Sequence, residues 1–154
     1  MKALLQRVSG ASVVVKDTTV AEIGRGMLVF LGVEKEDGVN DLEYLVRKIG
    51  GLRIFGDAAE KMNLSVKDIR GEVLVVSQFT LGANCRKGNR PSFDKAEGPA
   101  RAEELYLEMV RRLSGDGLRV AAGRFGAHMK VHLVNDGPVT IMLDSADVSS
   151  RRSL

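Results

Sequence analysis

Cysteine is almost missing from this chain: Cys85 stands alone among 154 residues. A lone thiol closes no internal bridge, so the fold does not lean on disulfides, and that usage fits a reducing, cytoplasmic setting. Tryptophan is absent, and phenylalanine and tyrosine number 5 and 2, which predicts a mostly aliphatic core. No stretch approaches the roughly 18–20 apolar residues of a membrane span. The opening Met1-Lys-Ala-Leu-Leu-Gln-Arg7 acquires charge too early for the apolar part of a signal peptide. A formal charge of +3 makes no global field, so any nucleic-acid contact must come from local clustering. Cofactor motifs are missing too: Gly24, Gly26 and Gly32 have the wrong spacing for a dinucleotide fingerprint and precede no helix, and nothing reads as a P-loop. What is plentiful is glycine, at 17, the mark of a turn-rich fold. The length suits one domain over 1–154 that buries roughly 70% of its unfolded surface, with about 146–154, including Arg151 and Arg152, expected as a flexible polar tail.

The stretch around which the rest is arranged is Gly71-Glu-Val-Leu-Val-Val-Ser-Gln-Phe-Thr-Leu81. Val73 to Val76 form a continuous apolar run, the pattern of a strand buried on both faces. Ser77, Gln78 and Thr80 follow, interleaved with Phe79 and Leu81, in a segment expected to stay buried. A buried polar group left without a partner costs about 1–3 kcal/mol, so these side chains are either satisfied core groups or a site at the strand's carboxyl end.

Ala3–Val8, Ser12–Lys16, Val20–Ile23 and Met27–Val33 read as strands, with a hairpin turn at Lys16–Thr19. Asn40 with Glu43 predicts a helix start, Leu42, Leu45, Val46 and Ile49 its apolar stripe, and Gly50-Gly51 its stop. Leu52–Phe55 reads as a short strand, and Gly56–Arg70 as irregular, tucked down by Met62, Leu64, Val66 and Ile69. Gly82–Gly98 is a long loop, a length usually reserved for function or mobility. Pro99 opens a second helix with a stripe of Ala102, Leu105, Tyr106, Met109, Val110 and Leu113, ended by Gly115-Asp-Gly117. Leu118–Ala122, Met129–Val134 and Val139–Leu143 close the chain as strands. The class is α+β: a curled, barrel-like, mainly antiparallel sheet with two helices packed outside.

Each chemical feature has a plainer reading. His128 and His132 suggest a metal pair, but the pattern around them alternates and no Cys or acid completes a ligand set, so they read as solvated strand residues. Cys85 has basic neighbours that would lower its pKa, yet no nearby base, and reads as incidental. Arg86, Lys87 and Arg90, with Phe93 just beyond, form either a phosphate-holding loop with a stacking ring or an ordinary solvated loop. Asn135-Asp-Gly-Pro-Val-Thr140 is hairpin-turn chemistry, although a cis bond at Pro138 would aim neighbouring carbonyls the same way, as a fork for an ammonium group.

Taken together, Met1–Val8, Leu31-Gly-Val-Glu34, Leu52–Phe55, Lys61-Met-Asn-Leu64, Ser77-Gln-Phe-Thr-Leu81, Arg86-Lys-Gly-Asn-Arg-Pro-Ser-Phe93 and Asn135–Thr140 resemble D-aminoacyl-tRNA deacylases, the chiral-proofreading hydrolases of translation. Gly82 and His128 depart from the family pattern of an aromatic and of an acidic or apolar residue. The resemblance implies a cytoplasmic homodimer that needs no cofactor or metal and engages neither membrane nor DNA. In it Gly137 and Pro138 of one subunit enter the other's pocket, take the substrate's α-amino group and turn away L side chains by a backbone clash. It further implies that Ser77, Gln78, Phe79 and Thr80 form the catalytic strand end, holding the terminal adenosine and the ester carbonyl. Phe125 and Met129 would pack on the adenine, and Arg86, Lys87 and Arg90 would meet the tRNA. Because no base adjoins Thr80, backbone N–H groups near Phe79 and Thr80 are the expected oxyanion stabilisers, assisted by the ribose 2′-hydroxyl. The competing readings are a non-catalytic RNA-binding dimer and a related deacylase with a trans Gly-Pro bond that clears a small L-amino acid.

Overall fold

A computed structural model of the chain describes residues 1–149, so Arg151 and Arg152 of the expected tail lie outside the described residues. In chain order the elements are β1 (Lys2–Val15), β2 (Thr18–Ile23), β3 (Gly26–Gly32), α1 (Val39–Gly51), β4 (Phe55–Gly56), β5 (Met62–Leu64), β6 (Glu72–Ser77), a 3-10 turn (Phe79–Gly82), α2 (Pro99–Gly115), β7 (Arg119–Ala122), β8 (Lys130–Asp144) and α3 (Ala146–Ser149). The last is a helical turn where a polar tail was expected to begin.

Two long strands, β1 and β8, run antiparallel along nearly their full lengths, from Lys2 opposite Asp144 to Val14 opposite Lys130. On its other edge β1 pairs with β3 over Lys2–Val8 and with β2 over Ala11–Val15, both antiparallel. The turn between β1 and β2 holds Lys16 and Asp17 at positive φ, the backbone that two-residue hairpins require. Beyond β3 the sheet continues through β6 and β7, each joined in parallel. The mainly antiparallel, curled sheet is therefore as the sequence predicts, with two parallel pairings at one end.

Two cores explain the sequence patterns. One lies between the sheet and the helices, where Ala3, Leu5, Met27, Val29, Leu31, Val73 and Val75 meet Leu42, Leu45, Ile49, Leu105, Tyr106, Met109 and Leu113. The other fills the inside of the curl with Val8, Val13, Val15, Leu28, Leu74 and Val76. β3 and β6 feed both, which is why each is an unbroken apolar run. β1 does so by changing phase: Ala3 and Leu5 face the helices, whereas Val8, Ala11 and Val13 face the inside. The switch coincides with a register shift between Val8 and Gly10 against β8, so the two predicted strands are one strand with a bulge.

Several local expectations shift. The N-cap of α1 is Gly38, two residues before Asn40, and the Asp41 carboxylate accepts its N–H at 2.9 Å. Gly50 and Gly51 are its last residues, and Leu52 takes the extended cap. The short strand predicted at Leu52–Phe55 is reduced to Phe55–Gly56, paired with β5. In the segment after it Val66 is buried as expected, but Met62 is exposed. Pro99 opens α2 as predicted.

The largest change is at Asn135–Thr140. No hairpin reverses the chain there; β8 runs through. Gln6 pairs with Thr140 and Val8 with Asn135, so while β1 advances by two residues β8 advances by five. Three surplus residues bulge out of the sheet. Turn chemistry is present as read, but it builds a kinked excursion in a continuous strand.

Candidate functional site

β6 ends at Ser77, with a backbone bond from Gln78 N–H to the Leu31 carbonyl (2.8 Å) just beyond it. The chain then turns sharply as Leu81 N–H returns to the Gln78 carbonyl at 3.2 Å. The segment expected to stay buried does not: Ser77 and Gln78 are half-buried and Phe79 and Thr80 exposed, Phe79 by 55%. The first N–H groups of a helical turn have no partner within it. Among the described residues neither the Phe79 nor the Thr80 N–H has a backbone acceptor.

Ser77, Gln78 and Phe79 form one side of a cavity of about 490 Å³, whose other side is the β7–β8 loop with Phe125, His128 and Met129. Thr80 touches this set through its hydroxyl, which accepts a 2.5 Å bond from the Gln78 amide. The expected strand-end and adenine-packing residues are thus brought together in one mostly apolar cleft. Two polar residues also line it: Glu97, which sequence reading missed, and His128, which only the family resemblance set beside the site. His128 is no strand residue but part of the loop before β8, and it lines the cavity. Glu97 lines it from the segment leading into α2, where its carboxylate accepts the Gly98 N–H at 2.6 Å. Local sequence placed neither beside Ser77: the 3-10 turn and the basic loop lie between Ser77 and Glu97 along the chain, and α2 and β7 as well before His128.

The back of the cleft is rigid. Tyr106 of α2 is buried and shares its hydroxyl proton between the Val75 carbonyl (3.0 Å) and the Gly123 carbonyl (3.2 Å). Burial pushes that phenol up to about 12, so it stays a neutral donor at any working pH. Gly123 also donates to Val75 (2.9 Å), and a side chain there would come within 2.9 Å of the Met129 sulfur. A side chain at 123 would therefore push the flexible Met129 thioether aside within the cleft.

The basic loop is shut at its neck by reciprocal bonds between Asn84 and Ser92, 2.8 and 3.0 Å. Arg86, Lys87 and Arg90 are exposed, and among the described residues none has an ion-pair partner. Cys85 is a free, exposed thiol in the same loop. Phe93 is not an open stacking ring, one of the two readings the sequence left for this loop. It is half-buried, with its ring edge-on to Phe79 at 5.0 Å and 72°.

Gly137 and Pro138 lie elsewhere. Their peptide is cis and both are exposed. Ser77 lies opposite Leu31, Leu31 opposite Ala3 and Ala3 opposite Leu143. Across the sheet β8 is thus three strands from β6; it reaches the cleft lining only at Val131 near its start, and none of residues 135–140 lines the cleft. Its bracing is polar: Arg7 Nε donates to the Asp136 carbonyl (2.9 Å) while Arg7 Nη1 holds the Ile54 carbonyl (2.6 Å). Asn135 accepts the Val139 N–H (3.1 Å) and donates to Thr140 Oγ1 (2.9 Å), which also receives Gln6 (3.2 Å). Arg7 is the other residue sequence reading missed; its place in a predicted strand gave no sign that it reaches across to the bulge. On β8 the apolar Val134 and Met142 are exposed.

Comparison with known proteins follows the same lines. A family model described as D-Tyr-tRNA(Tyr) deacylase matches residues 4–144. A D-aminoacyl-tRNA deacylase of Thermotoga petrophila is 59% identical over 146 residues, 95% of this chain and 98% of that protein. One of Magnetococcus marinus is 63% identical over 145 residues, 94% and 96% of the two chains. Among solved structures, a c-Myc DNA unwinding element binding protein superposes with a TM-score of 0.88 at 45% identity, covering 94% of this chain and 98% of that one. A probable eukaryotic D-amino acid tRNA deacylase shares the fold at a TM-score of 0.81 and 18% identity, over 92% and 97%. No helix among the described residues is long and apolar enough to cross a membrane.

Proposed function

This chain belongs to the D-Tyr-tRNA(Tyr) deacylase family, a family of hydrolases, and from that premise we propose that it cleaves the ester of D-aminoacyl-tRNA, and of glycyl-tRNA, to free tRNA and amino acid while sparing L-aminoacyl-tRNA. The observation that carries the chiral part of this reading is a separation. No residue of the Gly137–Pro138 bulge lines the cleft of its own chain, which β8 reaches only through Val131, and in this reading a cleft is completed by the bulge of a second copy. The exposed Phe79, Val134 and Met142 are apolar surface for such a homodimer to cover.

In this reading the terminal adenosine sits in the apolar cleft against Phe125 and Met129, with its ester carbonyl at Ser77–Thr80. The partner's bulge offers the main-chain oxygens of Gly137 and Pro138 to the α-ammonium. A hydrogen or D side chain then points into open space, whereas an L side chain meets the Gly-Pro backbone. Water attacks the ester carbonyl as the ribose 3′-oxygen leaves and takes a proton. The N–H groups of Phe79 and Thr80 stabilise the transient oxyanion, and the neighbouring 2′-hydroxyl assists proton transfer. Such stabilisation needs no side-chain nucleophile. Arg86, Lys87 and Arg90 hold the RNA backbone, a role that makes affinity fall with salt by a slope of about 0.7 per neutralised phosphate on single strands. The reading fits translation quality control in the cytoplasm.

The test is one side-by-side assay of D-tyrosyl-, L-tyrosyl- and glycyl-tRNA with the purified protein, alongside its mass in solution. Release from the D and glycyl substrates by a dimer supports the reading. Equal release from the L substrate, or a monomer with full selectivity, removes the cross-subunit selection. No release from any of them leaves an RNA-binding protein.

A further inference from the structure

We infer that Phe93 is a positioning residue of this site, which fixes the Phe79 ring and so joins the basic loop to the cleft as one mechanical unit; the inference rests on the proposed deacylase reading. Phe79 is the first residue of the 3-10 turn and lines the cleft, yet 55% of its surface is exposed. A ring that open has few neighbours to choose its orientation. Among the described residues its one ring partner is Phe93, edge-on at 5.0 Å and 72°, the geometry in which the positive ring edge meets the negative face.

Phe93 is itself held on both sides. Before it, Asn84 and Ser92 close the neck of the loop carrying Arg86, Lys87 and Arg90. After it, Ala96 N–H returns to the Phe93 carbonyl (2.9 Å). Lys35 N–H to the Lys95 carbonyl (2.8 Å) and Glu97 N–H to the Val33 carbonyl (3.0 Å) then staple the segment to the chain following β3. The ring therefore stands on a fixed pedestal between the cations and Phe79. Phe93 does not line the cleft, so it acts only through Phe79, and what it controls is the geometry of the turn whose N–H groups face the ester.

The experiment is a double-mutant cycle on D-tyrosyl-tRNA hydrolysis with Phe93→Ala, Phe79→Ala and the double variant, read as kcat and KM separately and accompanied by thermal melting. An edge-to-face pair of this kind is worth roughly 3- to 10-fold. The expected result is a drop of that size in kcat for Phe93→Ala with KM nearly unchanged, recovery in Phe93→Tyr, and no further loss when Phe93→Ala is added to Phe79→Ala. Phe93→Leu, which keeps the apolar bulk and loses the ring, should behave as Phe93→Ala and replaces it in the cycle if that variant does not fold. Full activity in Phe93→Leu, or losses that multiply independently, overturns the inference while the deacylase reading stands. Absence of hydrolysis by the unaltered chain overturns both.

Discussion

The cleft wall and the Gly-Pro bulge are held in place by different physics. Ser77–Phe79 continue a strand whose two faces are both buried, and behind them Tyr106 ties α2 to β6 and to the end of β7. That wall is anchored from behind by close packing, although its own residues are half-buried or exposed. The bulge has almost no packing. It is exposed and held by a few directed bonds from Arg7, Asn135 and Gln6. A packed element fails through loss of stability, whereas a braced one fails through loss of aim. The two regions should therefore respond differently to substitution.

Gly137→Ala is the sharpest way to separate them. Gly137 has φ +134, and an added Cβ would come within 2.8 Å of Arg7 Nη2 and 2.9 Å of Val139. Displacing the bulge by about 1 Å should lower D-tyrosyl-tRNA hydrolysis by roughly 100-fold, with a stability cost limited to about 1–3 kcal/mol from the backbone strain. Equal losses in melting temperature and in rate would mean that the bulge is part of the packed body after all.

Tyr106→Phe attacks the other region. It leaves the Gly123 carbonyl without its buried donor and should cost about 1–3 kcal/mol in urea unfolding, while the ratio of D to L hydrolysis stays unchanged. A variant that folds normally but loses its chiral preference would break the division between the regions. Thr80→Ala sits on the margin of the wall. Its hydroxyl accepts only the Gln78 amide, so the variant should stay within about 10-fold of full activity, the small end of side-chain effects on an oxyanion site. Near-complete loss with tRNA binding intact would make the hydroxyl a reactant.

The smallest effect is expected far from both, on α2. Hydrogen bonds from Arg111 and Arg112 hold the Glu108 carboxyl down to about 2 from its ordinary 4.5. Its folded pKa lies below the unfolded one, so its contribution is complete above about pH 4.5 and lost as pH falls through 2. Glu108→Gln should accordingly flatten the acid limb of a melting-temperature profile and leave neutral-pH activity untouched. A shift at pH 7 in selectivity would contradict this.

The packed region was legible in the sequence and the braced one only in part: a cis bond at Pro138 was read there and is present, but the kink and its braces were not. Apolar runs at Met27–Val33 and Val73–Val76, and the stripe from Leu105 to Leu113, report burial on one or two faces, and burial is what their residue types encode. Asn135-Asp-Gly carries strong turn signals, but those signals describe φ and ψ at three residues and do not say whether the chain reverses or only kinks. That outcome depends on β1, more than 120 residues earlier, which pairs with both flanks of the excursion. Arg7 was invisible for the same reason, since its partners are carbonyls of Ile54 and Asp136 and carbonyls leave no trace in a sequence. His128 and Glu97 meet in the cleft only because β6 lies beside β7 and below α2.

The bulge also has a dimension set by counting. Both its feet are pinned, at Val8–Asn135 and at Gln6–Thr140, so neither can slide to absorb a change in length. Adding one residue between them would lengthen the excursion by up to about 3.3–3.6 Å of chain, close to the diameter of a methyl group. On the proposed function the surplus on β8 would work as a gauge: lengthening or trimming it would alter which amino-acid sizes fit beneath.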